Sequence, residues 1–227
     1  LSAQTRAEEK RGRGVADSAI IFYLHGHDVP GAGVTFKVDQ DPPSGWSVLH
    51  WTIKKTMSAK ELAKAIVAKC AKEGAKIGGI VINSHGGPGE IKLGKKISFS
   101  TVDDLGLLKG HFAKNHNGID VHACNVAAAG INLETRKVEG EYGTMAALGY
   151  SLFNDTGIEK KGIGHQFMVK LAKATGVHVN APYQVQMAAI EMGSFVVKRP
   201  TGYFSGSWVR AWPDGVTKSY SENIRPR

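Results

Sequence analysis

Ile80-Val81-Ile82-Asn83-Ser84-His85-Gly86-Gly87 and Ile119-Asp120-Val121-His122-Ala123-Cys124-Asn125 are the two stretches on which the fold of this chain turns. Each is an apolar run that stops on a reactive side chain, a histidine followed by glycine in one and a cysteine in the other. A long apolar run bounded by glycine suits a parallel strand covered on both faces. Open α/β sheets place their chemistry just beyond the carboxyl ends of such strands. Two neighbouring strands ending on His and Cys can build a thiolate–imidazole pair.

Outward from these strands, the pattern alternates. Ala19 to Leu24 is a continuous apolar run and reads as a buried strand. It breaks at His25-Gly26-His27-Asp28-Val29-Pro30-Gly31, a loop by its glycine and proline content. Val34 to Val38 reads as a short strand, and Trp46 to Ile53, rich in β-branched and aromatic residues, as another. Ser58 stands three residues before Glu61, a capping-box pattern. Leu62, Ile66, Val67 and Cys70 then recur at helical spacing up to Gly74.

After the strand Ile77–Ser84, Ile91 to Phe99 reads as a small hairpin turning at Gly94-Lys95. Asp103 to Lys114 reads as a helix with Leu105, Leu108 and Phe112 on one side. Gly164 to Thr175 is a helix closed by Gly176, and Val177 to Val185 a strand interrupted near Pro182. The end, Phe195 to Tyr220, reads as one or two antiparallel strands around the turn Trp212-Pro213-Asp214-Gly215. This alternation predicts an α/β fold, with a mostly parallel sheet and an antiparallel edge.

The chain of 227 residues fits one domain, or one domain with an appendage. Residues 1–18 read as a flexible leader without the apolar stretch of a signal peptide. Residues 19–194 form the main domain, interrupted by a glycine-rich, charged excursion at 130–162. Residues 195–227 read as an aromatic-rich β extension of the same domain. No run of 18 apolar residues exists, so no transmembrane helix is expected, and the compartment stays open. The net charge of +9 favours anionic partners. Its lysines and arginines are scattered, and no basic stripe interleaved with aromatics marks a nucleic-acid binder. Of the two cysteines, Cys70 reads as a small buried helix residue, and nothing suggests a disulfide framework.

The candidate chemistry is that of a thiol. A thiolate nucleophile needs a lowered pKa or an adjacent base. His85 can take the thiol proton of Cys124 and return it to a leaving amine. The backbone N–H groups of Gly86 and Cys124 can hold an oxyanion, and glycine at 86 lets a substrate approach closely. A strand ending in His85-Gly86, followed 39 positions later by a strand ending in Ala123-Cys124, resembles the caspase–hemoglobinase clan of cysteine peptidases. The resemblance is closer to a bacterial caspase-like domain of large secreted or surface proteins. It rests on Ser84-His85-Gly86-Gly87-Pro88-Gly89 with Ile91-Lys92-Leu93-Gly94, on Cys124-Asn125-Val126-Ala127-Ala128, and on Gly164–Leu171 followed by Thr175-Gly176-Val177-His178-Val179. It covers about residues 19–187 apart from the excursion.

The resemblance implies a caspase-like three-layer α/β/α sandwich and a cysteine endopeptidase. Cys124 would be nucleophile and His85 base, acting on a protein or peptide substrate. No cofactor, metal, nucleic acid or membrane is implied. Clan members often need cleavage or ligand binding in the loop after the cysteine strand. The excursion at 130–162, with Arg136-Lys137 and Lys160-Lys161, is therefore a candidate for self-processing, and a small-molecule or protein activator fits the same pattern.

His25 and Asp28 are candidate orienting groups, since some clan members position the histidine from the end of the first strand. As a metal site, two histidines and an aspartate without a further ligand cluster are too few. His122 shares the sheet face of Cys124 by alternation and reads as a structural histidine. Tyr183, Gln184 and Gln186 are candidates for pairing with an extended peptide. The residue taken before the cleaved bond stays open: Asp103, Asp120 and Asp155 are candidate acids for a pocket taking Arg or Lys, and an acidic residue there would need Lys or Arg instead. Two alternatives remain. One is a catalytically inactive binding or scaffold module on the same fold. The other is an α/β hydrolase, which the missing Gly-x-Ser-x-Gly elbow around Ser84 and Ser151 disfavours.

Overall fold

The structure is a computed structural model that describes residues 18–29, 42–123, 126–127, 162–182 and 207–221. The leader up to residue 17, the strand expected at 34–38, the excursion from 130 to 161 and the segment 195–206 lie outside the described residues. In chain order the elements are β1 (Ala19–Gly26), β2 (Trp46–Ile53), α1 (Ala59–Glu73) and β3 (Lys76–Asn83). Three two-residue strands follow, β4 (Gly86–Gly87), β5 (Glu90–Ile91) and β6 (Ile97–Ser98), then a 3-10 helix (Val102–Leu108) and β7 (Ile119–His122). The chain closes with α2 (Ile163–Thr175), β8 (Val179–Pro182), β9 (Ser207–Ala211) and β10 (Thr217–Ser221).

Among the described residues, seven strands form one sheet in the order β2-β1-β3-β7-β8-β9-β10. The pairs from β2 through β8 are parallel, and β9 is antiparallel to both β8 and β10. The chain thus adopts the expected α/β class, with a mostly parallel sheet and an antiparallel edge. The order reverses at β1, which has β2 on one side and β3 on the other. Such a reversal opens a crevice at the carboxyl ends of the strands.

The steps from β2 to β3, β3 to β7 and β7 to β8 all move the same way across the sheet. Right-handed crossovers then put their helices on one face. α1 packs against the 3-10 helix, and the 3-10 helix against α2. Below them Leu24, Ile80, Ile82 and Ile119 meet Leu62, Ile66, Leu105, Leu108 and Leu171, all buried.

Local sequence explains the elements. Ser58 accepts the Glu61 N–H at 3.2 Å, and the Glu61 carboxylate accepts the Ser58 N–H at 2.7 Å, so the capping box starts α1 as expected. The helix expected over Asp103–Lys114 is shorter and tighter. After Leu108 the chain leaves it, and Phe112 instead bridges Ile77. Gly106 weakens the helix, Lys109 leaves it in an extended conformation, and Gly110 beyond it stands at φ +82°, a left-handed conformation that keeps the chain from resuming the helix. Leu105 and Leu108 are buried as the spacing predicted. The hairpin expected over Ile91–Phe99 forms as β5 and β6, with β4 added from Gly86-Gly87.

Candidate functional site

The site is set by the register of β3 against β7. Ile80 pairs with Ile119, Val81 with Asp120, Ile82 with Val121 and Asn83 with His122, a constant offset of 39. The same 39 positions separate His85 from Cys124. The ladder continues past the strands, because Ser84 N–H donates to the His122 carbonyl at 3.3 Å. His85 therefore leaves β3 directly beside the segment that leads into Cys124. Its ring is exposed to solvent.

Cys124 lies outside the described residues, but its flanks do not. Ala123 on one side and Val126 and Ala127 on the other are buried. Gly89 N–H donates to Val126 O at 3.0 Å, and Ala127 N–H to Pro182 O at 3.1 Å. The chain after the cysteine is thus held between the loop that follows His85 and the end of β8. Gly89 has φ +72°, and a Cβ there would stand 2.8 Å from Ile163 Cγ1. Only glycine lets the His85–Gly89 loop rest on the start of α2 while bonding to Val126.

The loop is pinned from its other side as well. The His85 carbonyl accepts Lys92 N–H at 2.8 Å and Ser84 Oγ–H at 3.0 Å. Gly86, the expected oxyanion donor, pairs with Ile91 in the small sheet. Ser84 is buried and its hydroxyl is occupied by the His85 carbonyl, so it is poorly placed as a hydrolase nucleophile.

His25, the last residue but one of β1, pairs with Asn83. It is buried and shares a hydrogen bond of 3.1 Å with Nδ1 of His50 on β2. Burial, with the nearby His50 adding to it, pushes His25 down to about 4, so its ring is neutral at pH 7. Burial also lowers His50, on which Tyr23 stacks at 4.8 Å. Asp28 lies 3.8 Å from His27, at the surface. His25 is thus joined to His50, and Asp28 to His27.

Of the candidate acids for a substrate pocket, the two described ones, Asp120 and Asp103, are engaged. Asp120 accepts from Asn180 Nδ2 at 2.5 Å, and Asn180 in turn accepts from Arg210 Nε at 2.7 Å. Asp120 stands four residues before Cys124 in the sequence. Asp103 pairs with Lys170 at 2.7 Å. His122 is buried and meets the Trp208 ring edge-on at 5.3 Å. Cys70 is a buried free thiol whose pKa burial raises, which makes it a weak nucleophile. Tyr183, Gln184, Gln186 and Asp155 lie outside the described residues. Among the described residues, no three His, Cys, Asp or Glu side chains converge as metal ligands would, and no helix is long and apolar enough to cross a membrane.

Sequence reasoning missed His50, Asn180 and Arg210. Their signal was a polar residue inside an apolar strand, as in Trp46–Ile53 and Val179–Pro182. Their partners, however, sit 25, 60 and 30 positions away. In comparisons with known proteins, no family model, no curated protein and no solved structure matches this chain.

Proposed function

We propose that the chain is a cysteine endopeptidase of caspase-like type, with Cys124 as nucleophile and His85 as base. The observation that carries this reading is the offset of 39 shared by the β3–β7 register and the His85–Cys124 separation. Supporting it, both flanks of Cys124 are buried, and the downstream one, Val126-Ala127, is hydrogen-bonded to the loop of His85 and to β8. The finer fold belongs to the same proposal. The β2-β1-β3-β7-β8 order, the antiparallel β9 and the helices side by side on one face supply two of the three layers of a caspase-like sandwich.

In this mechanism the Cys124 thiolate attacks the scissile carbonyl, and the Gly86 and Cys124 N–H groups hold the oxyanion. His85, exposed at the crevice, accepts the thiol proton and passes it to the leaving amine. Water then hydrolyses the thioester, with His85 as base again. Cleavage within 130–162 would then be an intramolecular use of the same chemistry.

A thiol-directed covalent probe should label Cys124 and spare buried Cys70. Cys124→Ala should abolish cleavage of a diverse peptide library, and His85→Ala should slow it by about 10²–10⁴-fold. A folded wild-type protein that ignores the probe and cleaves nothing would make the chain a binding module instead. Labelling of Ser84 or Ser151 by a serine-directed probe would return it to the hydrolases.

A further inference from the structure

The surface beside this crevice is strongly one-signed. β2 ends at Ile53 and runs into Lys54-Lys55, both exposed. Met57, just beyond, donates its N–H to Lys54 O at 3.0 Å and accepts Lys95 N–H at 2.8 Å. The loop carrying Lys92, Lys95 and Lys96 is thereby stitched to the turn after β2, and all three of its lysines are exposed. Lys92 N–H on the His85 carbonyl carries this basic ribbon to the candidate base itself. Lys64, exposed on α1, extends it on the far side, since both Lys95 and Lys64 act on the Glu61 carboxylate.

Two glutamates oppose six lysines, and both are committed. Glu90 holds Lys96 at 3.0 Å, and Glu61 closes the α1 capping box. Among the described residues, no carboxylate lies within ion-pair distance of Lys54, Lys55 or Lys92. The nearby aromatic rings, Trp51 and Phe99, are packed against the core, so the rim offers cations without stacking platforms. Single-stranded nucleic acid is held by aromatic stacking together with charge. Flexible, strongly hydrated ammonium groups on two separate turns suit scattered carboxylates.

We propose that Lys54, Lys55, Lys92, Lys95 and Lys96, with Lys64, form an exosite that docks an acidic peptide segment of the substrate beside His85. The inference deepens the peptidase reading and rests on it for the word substrate; the binding itself needs no catalysis.

The test uses the full chain carrying Cys124→Ala and fluorescent peptides, one rich in glutamate and one neutral of the same length. The acidic peptide should bind about ten-fold more tightly at low salt, and the advantage should fade near 0.3 M salt, where charges are screened within a few ångströms. Lys54→Gln, Lys55→Gln and Lys92→Gln together should remove most of that advantage while leaving the unfolding midpoint in place. In the wild-type protein, an acidic extension on a cleaved peptide should lower KM and leave kcat unchanged.

Equal binding of both peptides, or no effect of the triple substitution, overturns the proposal. So does tighter binding of a single-stranded oligonucleotide of the same charge, which would make the rim a nucleic-acid surface. Acidic-peptide binding by a wild-type protein that cleaves nothing would retain the docking surface and sink only the peptidase. Cleavage indifferent to acidic extensions would retain the peptidase and sink only the exosite.

Discussion

The two faces of the central sheet do different jobs. Toward α1, the 3-10 helix and α2, the strands present Phe22, Leu24, Ile80, Ile82, Ile119 and Val121, all buried and all apolar. Alternation turns the next residues the other way, and there the same strands carry Tyr23, His25, Asn83, Asp120 and His122, joined by His50, Asn180 and Arg210. One face holds the layers together through apolar area. The other holds groups that titrate and hydrogen-bond across strands, as His25 does with His50, and Asp120 and Arg210 with Asn180. Stability without pH dependence should therefore come from the first face, and coupling between proton binding and folding from the second.

The largest effect that would test this division is a cavity on the helix-covered face. Phe22 is fully buried there. Phe22→Ala should cost about 3–5 kcal/mol of unfolding free energy. The loss should be the same at pH 5 and pH 8, measured by urea denaturation. A penalty that changes with pH would show that the two faces are not energetically separate.

On the polar face the effect should be one of pH. His25 titrates near 4 in the folded chain and near 6.5 in a solvated one. Below 6.5 the unfolded chain binds the proton and the folded chain resists it. Stability is then full above about pH 6.5 and is lost as pH falls toward 4. At about 1.4 kcal/mol per pK unit, His25 alone accounts for about 3 kcal/mol across that window. His178, also pushed down to about 4 by burial and then by Arg210 and His116, adds a loss of the same sign in the same window. Denaturation curves from pH 8 to 4 should show the slope, and His25→Gln should flatten it without abolishing it. An unchanged slope would mean that His25 does not resist protonation in the folded chain.

This contrast also explains what could be read before the structure. The apolar face was legible because its rule is local: Leu62, Ile66 and Cys70 recur at helical spacing, and Ile80-Val81-Ile82 is a run. The strand ends were legible for the same reason, since Ser84-His85-Gly86 and Ala123-Cys124 close apolar runs. The polar face was not. That His25 would meet His50 depends on the β1–β2 register, and that Asn180 would bridge Asp120 to Arg210 depends on three strands pairing across 90 residues of chain. Parallel pairing leaves no turn in the sequence to fix its register. Asp103–Lys114 failed as a full helix for a local reason, because Gly106 and Gly110 outweigh a correct apolar spacing.

The smallest predicted effect sharpens the division at the start of α1, where the helix layer carries a carboxylate held by its cap. Ser58→Ala removes the N-cap of α1, and such caps are worth about 1 kcal/mol. The Glu61 carboxylate, which completes the box, is held below its ordinary value of 4.5 by its bonds to Ser58. A carboxylate lowered in the folded state stabilises above its unfolded pKa, and the contribution is lost as pH falls below about 4.5. The histidines lose theirs between about 6.5 and 4, so the two windows are offset. Thermal unfolding of Ser58→Ala against wild type should show a constant difference from pH 8 to 5 that shrinks only below pH 4.5. A difference that shrinks already between pH 6.5 and 5 would mean that the cap is coupled to the histidine face, and the separation of the two faces would fail at α1.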